Sequence, residues 1–458
     1  MKIKFILFLF LSGMLGSCEK DFLDKKSDKA LLIPQRLSEM QALLDNHTLM
    51  NRTPGIGFLS SDDFYITDAG YNAFGTPIER NAYLWAKEIE EGTALLDWNV
   101  PYQHIFYCNV VLEGLGELTE DEKRQPGWDN ARGTALFFRA YAYFNLLQLF
   151  SAPFDAANAG QLPGVPISVS SKIKQSLIRN SQREGYDLVM KDLLEAADLL
   201  PLNQQVKTRP DRAAALALLA RTALTMKDYD QAAKYAASSL GLKSTLIDYN
   251  EYSVTSVKPF PVVLPNNNAE VLFYAPLLSY SYLSSALTFA DPFLYQMYDA
   301  NDLRKGLFFL SRGNNMFTFK GSYAGPISSS STFAGLSINE VYLISAEMKV
   351  RTGKIQEGMQ DLNKLLEKRW KKGAFKPLTA ATPAAALKIV LEERRKELAG
   401  RELRWQDLRR LNDDPAFQVT LQRQSNGKTY QLLPGSLRYT FSIPADEIEI
   451  YGWKQNDR

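Results

Sequence analysis

The stretch from residue 213 to residue 240 reads AAALALLARTALTMKDYDQAAKYAASSL, and it decides the fold class. Alanine and leucine recur in it at the three- and four-residue spacing of a helix, on both sides of a short polar turn. This spacing predicts two helices, over residues 211–226 and 229–240. Because most of the side chains between them are small, the two helices can pack closely together.

A second helix pair with the same layout follows later in the chain. Residues 338–351 and 355–369 have apolar residues at helical spacing, and the polar turn RTGK at 351–354 separates them. In the first pair, Ala217, Ala220, Tyr229 and Ala232 fall near tetratricopeptide positions. Two such pairs predict a mostly α fold, a tetratricopeptide-like helical repeat scaffold. Further helices are predicted over residues 37–44, 98–118, 129–149, 181–200, 383–400 and 403–411.

The segment from 245 to 333 has a different composition. It is rich in proline, and short apolar runs within it predict brief strands at 262–264, 270–274 and 316–319. The segment 60–82 also predicts a loop, with Gly70, Gly75 and Pro77 among aromatic residues. Long loops on a rigid scaffold are frequent binding surfaces. We therefore predict one domain over residues 31–458, with helical repeats at about 85–245 and 336–411 and a loop-rich, ligand-binding insertion at about 245–335.

The N-terminus predicts export and lipidation. A short positive start is followed by an apolar run over residues 5–15 and then by Gly16, Ser17 and Cys18. This run is about half as long as the roughly 20 apolar residues of a membrane span. The sequence LGSC at 15–18 looks like a bacterial lipobox, which predicts a signal peptide over 1–17, lipidation of Cys18 and a polar tether over 18–30. An ordinary signal peptide that happens to contain a cysteine is the alternative.

Charge and composition exclude several classes of function. The chain has 53 basic and 51 acidic residues, a balance that argues against a nucleic-acid partner. With two histidines and two cysteines, a His/Cys metal cluster is not expected. We predict no metal site and no cofactor, and no P-loop or dinucleotide fingerprint is present. Cys108 lies in an apolar helical stretch and is predicted to be a small core residue.

Several separated motifs resemble those of the SusD/RagB family, the surface-lipidated nutrient-binding proteins of the outer membrane of Bacteroidetes. They cover nearly the whole chain in the order of the family, whereas the segments 60–82 and 245–333 match nothing specific. The motifs are CEKDFLD at 18–24, the helix with Trp98, Tyr102, Ile105 and Asn109, RGTALFFRAYAYFNL at 132–146, the helix pair at 213–237, EVYLISAE at 340–347, EERRKEL at 392–398, RWQDLRR at 404–410 and FSIPADEI at 441–448.

The resemblance implies a function as well as a fold. It implies a lipid-anchored protein that faces the cell exterior, captures oligosaccharide and delivers it to a TonB-dependent, SusC-like transporter of the outer membrane. It implies a binding protein, not an enzyme. A peptide or another nutrient as the ligand is the first alternative, as in the RagB branch. A surface glycoside hydrolase or a scaffold for protein assembly is the weaker one.

Aromatic and polar residues in the two loop segments are the candidate ligand contacts. Sugars present apolar faces to aromatic rings and hydroxyls to polar side chains, and the family holds its ligands on loops of this kind. The alternative is that these rings pin the loops to the scaffold. The predicted ligand-binding residues are Asp63, Tyr65, Tyr71, Asn72, Phe74, Tyr280, Tyr282 and Tyr323.

The charged motifs near residue 400 are predicted to be structural. Glu393 and Glu397 lie four residues apart, hence on one face of a helix, whereas a glycosidase needs two carboxylates across a cleft. Arginine and glutamate commonly join helices through charge-assisted hydrogen bonds. The aromatic helix around Phe137 is expected to be core, and so are Trp98 and Trp405.

Overall fold

The computed structural model describes residues 34–172, 177–278, 280–284, 286–324 and 332–458. The predicted signal peptide, the lipidation site Cys18 and the tether therefore lie outside the described residues. Within the described part of the chain, no helix combines the length and the apolar composition needed to cross a membrane.

Short elements precede the long helices. The first part of the chain contains α1 (Leu37–Leu44), α2 (His47–Met50), α3 (Ile56–Ser60), β1 (Phe64–Ile66), α4 (Asp68–Asn72) and α5 (Pro77–Tyr83). The next part contains α6 (Leu96–Glu117), α7 (Glu120–Lys123), α8 (Trp128–Phe150), β2 (Pro163–Pro166), β3 (Arg179–Ser181), α9 (Gln182–Leu199), α10 (Arg212–Thr225) and α11 (Tyr229–Leu242).

The second half of the chain consists of the insertion, with brief strands and short helices, and of the longer helices and the hairpin that follow it. The insertion contains β4 (Val271–Phe273), α12 (Ser281–Ser284), β5 (Thr288–Ala290), α13 (Pro292–Gln296), α14 (Leu303–Phe308), β6 (Phe309–Ser311), β7 (Phe317–Phe319) and β8 (Leu336–Ser337). After it come α15 (Ile338–Arg351), α16 (Ile355–Glu367), α17 (Pro383–Glu397), α18 (Leu403–Leu411), β9 (Leu421–Ser425), β10 (Lys428–Leu432) and α19 (Ala445–Tyr451).

The long helices form one continuous stack, which confirms the predicted mostly α repeat scaffold. Helix α6 packs on α8, α8 on α9, α9 on α10, α10 on α11, α11 on α15, and α15 on α16 and α17. Since α11 contacts α15 directly, the chain between them loops out of the stack without interrupting it. Aspartates begin the two helices of the first pair: Asp211 accepts from the backbone N–H of Ala214, and Asp228 accepts from that of Gln231.

The strands pair into short antiparallel ladders that tie distant segments together. Strand β1 pairs with β5, with Tyr65 opposite Phe289, and β4 pairs with β8. The other ladders, β2–β3, β6–β7 and β9–β10, each join strands that are neighbours in sequence. The ladder β4–β8 therefore joins the early part of the insertion to the strand that leads into α15, and the ladder β1–β5 fixes the middle of the insertion to the segment before α4.

Two local predictions are wrong. Residues 262–264 form no strand, because Pro261 and Pro265 flank them and a proline nitrogen has no hydrogen to donate to a ladder. The segment 60–82 is not a loop but holds β1, α4 and α5. Its helices begin where the side chains of Thr67 and Thr76 accept backbone hydrogen bonds, the second just before Pro77.

The core confirms the structural role predicted for the aromatic motifs. Helix α8 is buried along nearly its whole length, and Phe137, Phe138 and Phe144 are among its inaccessible residues. Trp98 and Trp405 are buried as well. Cys108 is a buried free thiol, and burial raises its pKa well above the usual range. Its side chain therefore serves packing.

Candidate functional site

The candidate surface is built on β1 and the two short helices after it. In β1, Phe64 and Ile66 are buried, and Tyr65 between them is only half-buried, because successive strand residues point to opposite faces. Its ring lies 5.8 Å from that of Phe289 on the paired strand. Thr67 then begins α4, which carries Tyr71 and Asn72.

The hairpin β9–β10 closes this surface from the C-terminal part of the chain. Its turn is formed by Asn426 and Gly427, both with positive φ, at +48° and +73°. The backbone N–H of Asn426 donates to Asp68 at 2.8 Å, and the side-chain amides of Asn426 and Asn72 exchange two hydrogen bonds of 3.2 and 3.0 Å. The tip of the hairpin is therefore fixed to α4.

A buried arginine holds the base of the same hairpin. The guanidinium of Arg423 lies 3.8 Å from the centroid of the Tyr83 ring and 4.7 Å from that of Trp85. It also donates to the backbone carbonyls of Leu59, Ser61 and Tyr83. Every acceptor is a neutral carbonyl, so the charge is stabilised by carbonyl dipoles and ring faces.

The Tyr71 surface, which we define as Tyr71, Asn72, Asn426 and Tyr430, combines two tyrosine rings with two side-chain amides. The Tyr71 ring is half-buried and lies 5.7 Å from Phe74 and 5.9 Å from Tyr83. Partial burial raises the pKa of Tyr71, so its hydroxyl remains a hydrogen-bond donor at neutral pH. Asn72 and Asn426 are exposed and Tyr430 is partly exposed. A ligand that reaches this surface meets two partly exposed tyrosines and two amides.

Four predicted residues lie in the core instead. Asp63, Phe74, Tyr282 and Tyr323 are at most 5% exposed. Phe74 and Tyr282 pack around Tyr83 behind Tyr71, with ring centroids 5.8 to 6.2 Å apart. The Tyr323 hydroxyl donates to Glu270 at 2.6 Å, and its ring lies under the guanidinium of Arg401. Their burial leaves these side chains no surface to offer a ligand, so the prediction of direct contact is corrected for them.

Tyr280 pins a loop. Its hydroxyl donates to the buried carboxylate of Asp97, which also accepts from the backbone N–H groups of Gly55 and Ile56 at 2.6 and 2.9 Å. Its phenol is occupied, and its ring packs against Gly55. Of the eight predicted contacts, Tyr65, Tyr71 and Asn72 therefore keep side chains that a ligand can reach without displacing a buried partner.

The charged motifs are structural, as predicted. Arg404 forms two hydrogen bonds with Asp62, at 2.7 and 2.9 Å, and Arg395 binds Asp63 at 3.0 Å. Burial alone would raise the pKa of Asp62, but the guanidinium groups of Arg404 and Arg395 hold it well below its usual range. For Asp63 burial outweighs Arg395 and raises its pKa to about 6. These pairs join β1 to α17 and α18.

Glu402, just before α18, is a strained and buried acid. Its backbone has φ +67°, a left-handed conformation that is costly for a residue with a side chain. Gln406 donates to its carboxyl at 3.2 Å, and burial raises its pKa to about 8. The folded protein therefore holds this proton more tightly than the unfolded chain does.

This proton makes stability depend on pH. Between pH 4.5 and about 8 the unfolded chain loses the Glu402 proton and the folded protein keeps it, so this site makes stability fall as pH rises. Glu402→Gln mimics the protonated acid. In this variant we expect the free energy of unfolding to fall less steeply with pH, by up to about 1.4 kcal/mol per pH unit. Urea unfolding at pH 5 and pH 8 measures it, with exposed Glu367→Gln as the control. An unchanged difference between the two pH values would contradict the assignment.

The hairpin residues of the Tyr71 surface were missed by sequence reasoning. The dipeptide Asn426-Gly427 between two alternating runs is a strong hairpin signal and could have identified β9–β10. Its contact with α4, more than 350 residues away, had no signal in the sequence. Among the described residues, no group of three or more His, Cys, Asp or Glu side chains is placed to hold a metal ion.

Two family models match separate parts of the chain. Residues 21–224 match a model of SusD-like proteins described as "Starch-binding associating with outer membrane". Residues 315–442 match the model of the SusD family, which includes RagB. The two models follow each other along the chain and leave most of the insertion between them.

Relatives and solved structures agree with these matches. SusD-like protein P2 of Formosa agariphila is 27% identical over 148 residues, 32% of this chain and about a quarter (27%) of that protein. A SusD superfamily protein from Bacteroides thetaiotaomicron has a TM-score of 0.74 at 20% identity, covering 92% of this chain and 100% of that one. Surface glycan-binding protein A from Bacteroides fluxus has 0.70 at 19%, covering 92% and 99%. At these identities the likeness of the solved structures shows the fold.

Proposed function

The chain belongs to the SusD/RagB family, and from this premise we propose that it captures extracellular oligosaccharide and delivers it to a SusC-like, TonB-dependent transporter. A solved neighbour named as a surface glycan-binding protein supports the ligand class. The family description supports association with the outer membrane. Lipidation at Cys18, export by residues 1–17 and delivery to the transporter are parts of this proposal.

The observation that carries the ligand class is the Tyr71 surface. A pyranose ring has apolar C–H faces that pack on an aromatic ring, and its hydroxyls both donate and accept hydrogen bonds. Tyr71 offers a half-exposed ring, and Asn72 and Asn426 offer exposed amides that bond each other. A sugar hydroxyl pair can replace the reciprocal amide bonds without loss, because each amide presents both a donor and an acceptor. Tyr65 adds a second half-buried ring.

The proposal assigns binding without catalysis. The carboxylate of Glu393 is already occupied, because it accepts hydrogen bonds from Arg304 and from Lys396, each at 2.6 Å. Glu397 is fully buried between Arg304 and Arg369. A glycosidase needs one carboxyl free to protonate the leaving oxygen and a second carboxylate facing it. These two serve to hold the fold.

Replacing Tyr71 with alanine is expected to weaken glycan binding about tenfold or more, because the stacking ring is lost. The measurement is calorimetric titration of the full chain, in a detergent without a sugar headgroup, against oligosaccharides and mixed peptides. Tyr229→Ala, a half-exposed tyrosine on α11, is the matched control. If Tyr71→Ala binds the glycan as tightly as the parent chain does, the Tyr71 surface is not the binding site. Saturable binding of peptides alone would replace oligosaccharide by peptide as the ligand.

A further inference from the structure

A groove of about 480 Å³ lies beside α17, and its lining contains none of the four residues of the Tyr71 surface. It is lined by Phe293 of α13 and by Met297 just after that helix. Leu391 and Arg395 of α17 and Phe417 and Val419, after α18, also line it. Its volume is within the range of ligand sites, about 300 to 1,000 Å³. We call it the Phe293 groove.

Phe293 is held rigidly and yet remains exposed. Asp291 accepts hydrogen bonds from the backbone N–H groups of Phe293 and Leu294, at 2.9 and 3.1 Å, which fixes the start of α13. The Phe293 side chain is nevertheless 66% exposed. The guanidinium of Arg395 lies 5.8 Å from its ring centroid. A large apolar ring kept in solvent on a fixed backbone is a platform for an apolar ligand face.

The groove has little charge to offer a ligand. Its cations Arg395 and Arg404 are paired with Asp62 and Asp63, and Lys396 is paired with Glu393 at 2.6 Å. At its mouth Lys388 and Glu392 lie 4.0 Å apart, both largely exposed, and their charges balance. The side-chain nitrogen of Gln418 donates to the carbonyl of Asn412 at 2.6 Å. The hydrogen-bonding groups that the groove offers a ligand are therefore a matched pair of opposite charges and the amide oxygen of the exposed Gln418. A strongly anionic ligand finds no net positive charge there.

The ladder β1–β5 connects the groove to the residues of the proposed site. Phe64 pairs with Ala290 at one end, where the N–H of Asp291 donates to the carbonyl of Asp63 at 2.8 Å. Ile66 pairs with Thr288 at the other end, which leads into α4. Three strand residues span about 10 Å. Tyr65 lies between the two ends. Phe293 follows the ladder in the chain at one end, and the helix with Tyr71 follows it at the other.

From this geometry we infer that the Phe293 groove is a second carbohydrate subsite, one that takes rings of a neutral, extended oligosaccharide with Phe293 as the stacking platform. This inference rests on the proposed function, because it requires the same class of ligand. Phe293 packs on a pyranose face, while Lys388, Glu392 and Gln418 bond its hydroxyls. The balanced charges select neutral chains over uronic-acid or sulfated ones.

The test titrates the full chain, in a detergent without a sugar headgroup, with hexasaccharides of known charge. The neutral probes are hexasaccharides of glucan, mannan and xylan, and the acidic probes are hexagalacturonate and hexamannuronate. Phe293→Ala is expected to lower the affinity for the bound neutral hexasaccharide about tenfold, and Phe293→Tyr is expected to retain it. Leu437→Ala, an apolar residue that is 61% exposed elsewhere, is the matched control. Unfolding midpoints show whether each variant is folded.

The outcomes separate the groove from the proposed function. Loss of affinity in Phe293→Ala, with Leu437→Ala and Phe293→Tyr close to the parent chain, supports the subsite. If Phe293→Ala binds the neutral hexasaccharide as tightly as the parent chain does, the groove is not a subsite, and the proposed function is unaffected. Tighter binding of the acidic hexasaccharides overturns the assignment to neutral chains. Failure of the parent chain to bind any probe overturns the proposed function for these glycans, and the groove assignment with it.

Discussion

Replacing Arg369 with methionine is expected to lower the free energy of unfolding by about 3 to 5 kcal/mol. Arg369 lies just after α16 and is fully buried. It donates to Glu270 at 2.7 Å, to Glu397 at 2.9 Å and to the carbonyl of Ile247 at 3.0 Å. Methionine fills a similar volume without a charge, so both carboxylates would lose a cation in a place that water does not reach.

The surrounding network explains why this loss is not easily repaired. Glu397 also accepts from Arg304 at 3.2 Å and from Asn339 at 2.7 Å. Burial alone would raise its pKa, but the guanidinium groups of Arg369 and Arg304 hold it below its usual value. Glu270 is held by Arg369 and by the Tyr323 hydroxyl. Without Arg369, the cost of burying Glu270 remains and the cation paired with it is gone.

Urea unfolding followed by circular dichroism measures the effect of Arg369→Met. The control is Arg124→Met, which removes a pair with Asp121 whose side chains are both largely exposed. Such surface pairs contribute about 0 to 1 kcal/mol, so this variant is expected to unfold close to the parent chain. Equal midpoints for Arg369→Met and the parent chain would contradict a stabilising role for the buried network.

The helical repeats could be predicted because their signal is local. The boundaries of α10, α11 and α15 follow from apolar spacing and from capping residues within the same segment, such as Asp211 and Asp228. The sequence predicts that arginine and glutamate join helices, but it does not predict which residues Arg369 binds. Its partners Glu270 and Ile247 are 99 and 122 residues away, and no spacing rule along one helix brings them together.

The candidate site could be predicted only in part, because the burial of its residues depends on contacts that no local pattern shows. Tyr71 and Asn72 are accessible because α4 is a short surface helix, whereas Phe74, two residues later, turns into the core. Composition identifies aromatic residues in such a segment but does not tell which rings face inward, because the segment is too short to show a period. The sequence also does not predict that Phe293 is exposed, since its exposure depends on how α13 lies against α17.

Replacing Gly335 with alanine is expected to destabilise the fold by at least about 3 kcal/mol, because a side chain has no room there. Gly335 precedes β8, where this strand pairs with β4 through an irregular register. A Cβ at this position would lie 2.0 Å from the carbonyl oxygen of Phe273 and 2.9 Å from the backbone nitrogen of Ala275. Both atoms belong to the backbone, so no rotation of a side chain can relieve the contact.

The ladder β4–β8 itself must move to accept Gly335→Ala, which weakens the attachment of β4 to the strand that leads into α15. The carbonyl of Gly335 also accepts from Arg221 at 3.1 Å, so the shift extends to the buried pair of Arg221 with Glu340. Gly75→Ala is the matched control, because its Cβ would meet nothing within 4 Å. Urea unfolding that is unchanged in both variants would show that β4 and β8 separate without cost. A loss confined to Gly335→Ala would show that this close backbone approach holds the insertion to the scaffold.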